Sequence, residues 1–295
     1  AQIEAQANRI ANGLLELGVQ RGDRVALWLP NSVETVVALF AILKIGAVFT
    51  VVNSTTKPQK LAYVLNNCAA SGLFGPGSAS QSISHLLEEA PSLRFAVLCG
   101  KGSQRPNPDA RIVPFSQLVE TNADTLPANP AIDIDLACLI YTSGSTGEPK
   151  GVMSTHANMA FAASSIIQYL ANVPDDIIIN VLPLSFDYGL YQLLMAFKFG
   201  GTLVLEKSFA YPAAVLQRIE REHVTGLPGV PTLFAILLQM DLSRFDLSTL
   251  RYLTNTAAAL PVEHIQRLRA AFPWTRLYSM YGLTECKRTL YLPPE

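Results

Sequence analysis

Short runs of consecutive apolar residues alternate along this chain with segments of helical apolar spacing, and that alternation restricts the fold more than any single motif. Ile3, Ala7, Ile10, Leu14 and Leu17 recur at helical intervals and stop at Gly18, which suits a helix C-terminus. Residues 24–29 follow as a buried strand closed by Pro30, and Asn31-Ser32 is placed to cap a helix that runs to Lys44 and ends at Gly46. Residues 47–52 and 95–99 read as strands and 59–67 as a helix. Residues 100–130 are rich in Pro, Asn and Gly and read as surface loops around one weak element at 112–119. The alternation then resumes, with strands at 136–141, 177–182, 202–205, 224–227, 252–254 and 276–280, and helices at 156–170, 188–199, 212–222, 232–240 and 262–272. Uninterrupted apolar strands separated by helices imply parallel sheets covered on both faces. The expected fold class is therefore α/β, with two stacked, mostly parallel sheets flanked by helices. A length of 295 residues accommodates a first subdomain over 1–130 and a second over 131–295.

Composition narrows the function classes. Hydrophobic residues make up 49% of the chain and charged residues only 15%, against roughly 25% in an average domain. That balance excludes a disordered chain and suggests surface that is normally covered. A net charge of −1, with no basic run longer than two, leaves no electrostatic footprint for nucleic acid or an acidic membrane. The most apolar stretch, 35–43, stops at Lys44, well short of the ~20 residues of a membrane span. Cys68, Cys99, Cys138 and Cys286 have neither metal-ligand spacing nor the density of a disulfide scaffold, so reduced thiols and a cytoplasmic location are expected. Ala1 opens directly in a helical pattern without an initiator Met, which leads us to expect that the chain begins inside a larger protein.

The sharpest local signal is the segment LIYTSGSTGEPKGV over 139–152. Thr142, Ser143, Gly144, Ser145, Thr146 and Gly147 are all Gly, Ser or Thr; they follow an apolar strand and precede Pro149-Lys150-Gly151. Glycines let the backbone approach an anion, successive N–H groups form a concave donor nest, and hydroxyls add donors. Lys150 adds a full positive charge, so the chemistry suits a polyphosphate. It is not a Walker A loop, because Pro149 stands where that pattern requires Gly. A flexible linker is the competing reading, but linkers seldom leave a buried strand directly and close on Pro-Lys-Gly.

This segment resembles the phosphate-loop signature of the adenylate-forming superfamily, which includes acyl-CoA synthetases, peptide-synthetase adenylation domains and luciferases. Tyr281-Gly282-Leu283-Thr284-Glu285 resembles the same family's Y-G-x-T-E motif, downstream and in the right order. The resemblance covers the whole chain and implies the family's large N-terminal domain without its mobile C-terminal lid. The implied reaction joins ATP and a small-molecule carboxylic acid into an acyl-adenylate with release of pyrophosphate. The acyl group then passes to a thiol of CoA or of phosphopantetheine on an acyl-carrier protein. By the same resemblance, Thr142–Gly147 and Lys150 hold the triphosphate of ATP, with Thr146, Lys150 and Glu285 as the catalytic set. Tyr281 stacks on the adenine of ATP or AMP beside Gly282, Thr284 bonds a phosphate oxygen, and Glu285 helps bind Mg²⁺. Thr256-Ala257-Ala258 occupy the place of a Gly-Gly-Ala-type turn along the adenine edge, although Ala disfavours the positive φ that Gly supplies.

Phe186 stands where many acyl-CoA synthetases carry a His. The Phe186-Asp187 pair resembles amino-acid-activating members, in which the matching Asp meets the substrate ammonium. Asp187 as a helix cap is the competing reading. His85, His156, His223 and His264 have no metal-ligand spacing, Cys286 has no neighbour that marks a nucleophile, and Glu88-Glu89 reads as a solvated helix end. The later family motifs, a ribose-binding Asp and a lid Lys, are not found after Glu285. Two functions therefore remain open, an acid-activating ligase (with an amino-acid adenylation domain as its variant) and a nucleotide-binding scaffold without turnover.

Overall fold

The computed structural model describes residues 1–104, 107–128, 130–142 and 147–294. The chain divides into two compact units, Ala1–Met159 and Ala160–Glu295. The first contains α1 (Gln2–Glu16), β1 (Arg24–Leu27), α2 (Val33–Lys44), β2 (Val48–Val51), α3 (Pro58–Asn67), β3 (Ala70–Pro76), α4 (Ser80–Glu89), β4 (Phe95–Cys99), β5 (Ile112–Pro114), α5 (Phe115–Thr121), β6 (Leu136–Thr142) and β7 (Lys150–Thr155). The chain passes into the second unit within α6 (His156–Leu170). There follow β8 (Ile177–Asn180), α7 (Asp187–Phe199), β9 (Thr202–Leu205), α8 (Pro212–Arg221), β10 (Gly226–Gly229), α9 (Pro231–Leu237), β11 (Tyr252–Asn255), α10 (Val262–Ala271), β12 (Arg276–Leu283) and β13 (Lys287–Leu292).

Among the described residues the first unit carries a seven-stranded sheet in the order β5-β4-β3-β1-β2-β6-β7, parallel except for the final antiparallel pair. The second carries a six-stranded sheet in the order β13-β12-β11-β10-β8-β9, also parallel except for the pair β12–β13. Strands β2 and β4 are buried along their whole length, which is why they read as continuous apolar runs rather than alternating ones. The start of α2 follows the sequence signal: Ser32 Oγ accepts the Thr35 N–H, and Lys44 lies in its last turn.

Three expectations change. The subdomain boundary lies between Met159 and Ala160, not at residue 130, because β6 pairs with β2 and brings the phosphate-loop segment into the first unit. The weak element at 112–119 is a short strand and a helix, β5 and α5. The strand expected at 224–227 is shifted to Gly226–Gly229, where the parallel ladder pairs Gly226 with Tyr252.

Candidate functional site

In the first unit, β6 and β7 form an antiparallel pair in which Thr142 lies in register with Lys150. The two ends of the phosphate loop are thereby held opposite each other. Ser143, Gly144, Ser145 and Thr146 lie outside the described residues. Gly147 has φ +94°, a conformation that favours glycine, and Lys150 is exposed at the start of β7. Two tyrosines brace the base of the loop, Tyr63, which no motif marked, and Tyr141, which lies in the signature segment. Tyr63 Oη donates to the Pro149 carbonyl at 3.3 Å, and Tyr141, whose ring packs against Gly151, donates to Asn67 Oδ1 at 2.6 Å.

In the second unit, a pocket of about 560 Å³ opens at the carboxyl ends of β11 and β12, within the usual range of about 300–1,000 Å³ for small-ligand sites. Its walls come from three segments: Thr256–Ala259 after β11, Ser279–Leu283 of β12 and Leu290–Leu292 of β13. Of the residues singled out from sequence, Thr256, Ala257, Ala258, Tyr281 and Gly282 thus line one pocket, with Tyr281 60% exposed. Ala257 adopts φ +74°, so the turn takes the left-handed conformation despite its Cβ, a local strain of the kind found at ligand sites. Asn255 Nδ2 holds this turn by donating to the Ala258 carbonyl at 3.0 Å.

Gly282 is obligatory for a steric reason. A Cβ built there would lie 1.6 Å from the Lys287 carbonyl oxygen across the β12–β13 pair. The ladder is irregular between Tyr281 and Gly282, and Thr284 and Glu285 form the turn that joins the two strands. Glu285 is exposed and makes no ion pair among the described residues.

Asp187 is the first residue of α7, whose N-cap is Phe186 with no side-chain capping bond, so the helix-cap reading fails. Its carboxylate instead faces Arg288, with Oδ2 3.5 Å from Nη1. Neighbouring Tyr188 is fully buried and fixes this end of α7. Its hydroxyl donates to the Thr254 carbonyl at 2.8 Å and accepts the Gly229 N–H at 3.2 Å. Burial pushes the phenol well above its ordinary range, so it stays a donor. Phe186 itself is exposed. Among the described residues no three His, Cys, Asp or Glu side chains are grouped to hold a metal ion, and all four cysteines are free. No helix among these residues is long and apolar enough to cross a membrane.

A family profile described as AMP-binding enzyme matches residues 1–294. The acyl-CoA ligase SID4 of Ajellomyces capsulatus is 32% identical over 98% of this chain and 51% of its own length. The anthranilate CoA ligase AuaEII, solved in complex with anthranoyl-AMP, superposes with a TM-score of 0.91 at 28% identity, covering 99% of this chain and 56% of that one. VinN, solved with L-aspartate, gives 0.83 at 30% identity, covering 99% and 71%. The chain spans about half the length of the curated relatives it matches. With the family profile matching over residues 1–294, the chain belongs to the family of AMP-binding enzymes.

Proposed function

We propose that the polypeptide carrying this chain activates a carboxylic acid with ATP and transfers the acyl group to a thiol. The observation that carries this reading is the pocket in the second unit, whose lining includes the two segments that the resemblance assigns to the adenine side. Tyr281 offers an exposed ring for stacking on adenine, and Thr256–Ala258 offer backbone groups along its edge. By the same resemblance, Thr142–Gly147 and Lys150 take the phosphates, where backbone N–H groups and a cation act on the charge that grows on the leaving pyrophosphate. A carboxylate is a poor electrophile. Its oxygen attacks the α-phosphorus, the bond to the β-phosphate oxygen breaks, and the acyl carbon gains AMP as a leaving group. The chain's task is to hold the two reactants in line and to keep water out.

Glu285 and the Thr284 hydroxyl are oxygen donors in an exposed turn, the donor type that Mg²⁺ takes when it keeps one carboxylate and completes its shell with phosphate oxygens and water. Bound there, Mg²⁺ would neutralise phosphate charge. The names of the relatives favour CoA as the acceptor, with carrier-bound phosphopantetheine as the alternative. Four free cysteines suit a reducing compartment, the cytoplasm. A second reading, an amino acid as the substrate, is favoured by the exposed edge of Asp187 and by the L-aspartate held by VinN.

The test is ATP–pyrophosphate exchange by the full-length polypeptide across a panel of acids. Acid-dependent exchange supports the ligase. ATP binding without exchange for any acid establishes the scaffold reading instead.

A further inference from the structure

Lys150 is exposed and makes no ion pair among the described residues, so the place of its ammonium depends on the backbone that carries it. That backbone is a sheet edge: among the described residues β7 has β6 on one side and no strand on the other. The residues that flank Lys150 are both tied to α3. Before it, Pro149 is buried and has no N–H, so its carbonyl is its one backbone group for hydrogen bonding, and that carbonyl accepts the Tyr63 hydroxyl at 3.3 Å. After it, Gly151 is in register with Tyr141, and a Cβ built there would meet the Tyr141 ring at 3.2 Å and its Oη at 3.5 Å. The Tyr141 hydroxyl donates in turn to Asn67 Oδ1 at 2.6 Å. Burial pushes this phenol up, so it stays a donor.

Tyr63 and Asn67 are four residues apart on α3 and therefore share one edge of the helix. The helix is itself anchored. Leu61, Ala62, Val64 and Leu65 lie in a buried cluster that includes Leu139 of β6, and Tyr63 and Tyr141 pack against that cluster. Covering the sheet takes only those apolar side chains. The polar tips of Tyr63 and Asn67 add nothing to that cover, and both are spent on the segment 149–151. A cation assists a leaving phosphate only while it is held where the charge develops, and a displacement of about 1 Å can cost on the order of 10²-fold in rate. We propose that Tyr63 and the Tyr141–Asn67 pair are positioning residues for Lys150, fixing the start of β7 so that its ammonium is held at the phosphates. The proposal rests on the reading of 142–150 as the phosphate site and names what in the fold keeps that site in place.

The experiment is a double-mutant cycle in the full-length polypeptide, read by calorimetric binding of ATP in Mg²⁺ and by ATP–pyrophosphate exchange with the acid that the panel selects. Tyr63→Phe keeps the ring and removes only the hydroxyl. It is expected to lower kcat for exchange about 3–10-fold, the equivalent of one neutral hydrogen bond, with KM for the acid unchanged. In a Lys150→Ala background the same substitution should have no further effect, because residues that act through one another are not additive. Asn67→Ala should behave likewise, and Asn67→Asp, which still accepts from Tyr141, should retain the wild-type rate. A wild-type rate in Tyr63→Phe overturns the proposal, and so does a loss of equal size with and without the Lys150 ammonium; either result leaves Lys150 in the phosphate site. Unchanged ATP affinity and exchange in Lys150→Ala removes the phosphate-site reading and the proposal with it. If no acid supports exchange, the cycle is read on ATP affinity, where the same coupling supports the proposal and additivity overturns it.

Discussion

Replacing Asp176 by Ala separates stability from nucleotide binding in the second unit. Asp176 immediately precedes β8, and its carboxylate gathers the entry points of three parallel strands. It accepts from Arg251 Nε and Nη2 at 3.1 and 2.5 Å, just before β11, and from the Thr225 hydroxyl at 2.8 Å, just before β10. Asn172 Nδ2 and the Val173 N–H complete its shell at 3.0 Å each. The Asp176 side chain is 2% exposed and that of Arg251 31%, so removing the carboxylate leaves a partly solvated guanidinium and three further donors without their acceptor. Leaving such donors unsatisfied costs about 1–3 kcal/mol. For a unit of this size that lowers Tm by roughly 3–10 °C in a thermal melt. Burial pushes the Asp176 carboxyl up, but Arg251, Asn172, the Val173 N–H and Thr225 together hold it below the usual carboxylate range. Its contribution is therefore complete above the unfolded value of about 3.9 and is lost as pH falls through the lower folded value. The difference in Tm between wild type and Asp176→Ala should be flat above about pH 5 and shrink below pH 4. The strand entries are opposite the carboxyl ends where the pocket opens, so ATP affinity of the folded variant should not change. A loss under about 2 °C, or a difference that widens in acid, refutes the assignment of Asp176 as a satisfied buried anion.

Lys150→Ala should weaken ATP binding by about 10–150-fold in calorimetry, the equivalent of one charge-assisted hydrogen bond of about 1.5–3 kcal/mol. Unchanged affinity would remove Lys150 from the phosphate site. Glu285→Gln should weaken ATP binding in Mg²⁺ more than in EDTA, and equal losses in both would show that Glu285 holds no metal. Gly282→Ala must push β13 away from β12, because its Cβ would collide with the Lys287 carbonyl. A destabilisation of about 1–3 kcal/mol and loss of the adenine pocket are expected, and a variant with normal ATP affinity would contradict that geometry.

The parts of the fold that the sequence exposes are those with a continuous or periodic apolar pattern. The strand at 95–99 is buried along its whole length, and the strand at 202–205, at a sheet edge, and the helix at 156–170, with one apolar face, also have the bounds expected. The unread elements have mixed chemistry. β3, Ala70–Pro76, is fully buried over six residues but contains two glycines and ends in proline, so neither propensity nor period marks it. β7 and β13, at sheet edges and largely solvated, show no continuous apolar run. The residues that the resemblance assigns to the adenine side, Thr256–Ala258 and Tyr281-Gly282, lie in one pocket. Arg288 was not legible. Its only trace is the Lys287-Arg288 doublet, and two adjacent basic residues read by default as solvated. What buries them is the left-handed turn at Lys287, φ +60°, which aims the following strand across α7.

The two unread edge strands explain how each motif is held. Both sheets are parallel until their last strand, and both then reverse direction, at β6–β7 and at β12–β13. A parallel crossover spaces consecutive strands by a helix and leaves its loop anchored at one end only in the ladder. An antiparallel edge pair anchors both ends of its connection to adjacent backbones. The phosphate loop connects one such pair and the Thr284-Glu285 turn the other. Long loops rich in Gly, Ser and Thr lose much entropy on ordering, so pinning Thr142 against Lys150, and Leu283 against Lys287, removes part of that cost before any ligand arrives. The same reversal that hid β7 and β13 from a search for apolar strands therefore places the chemically informative residues at connections held from both sides.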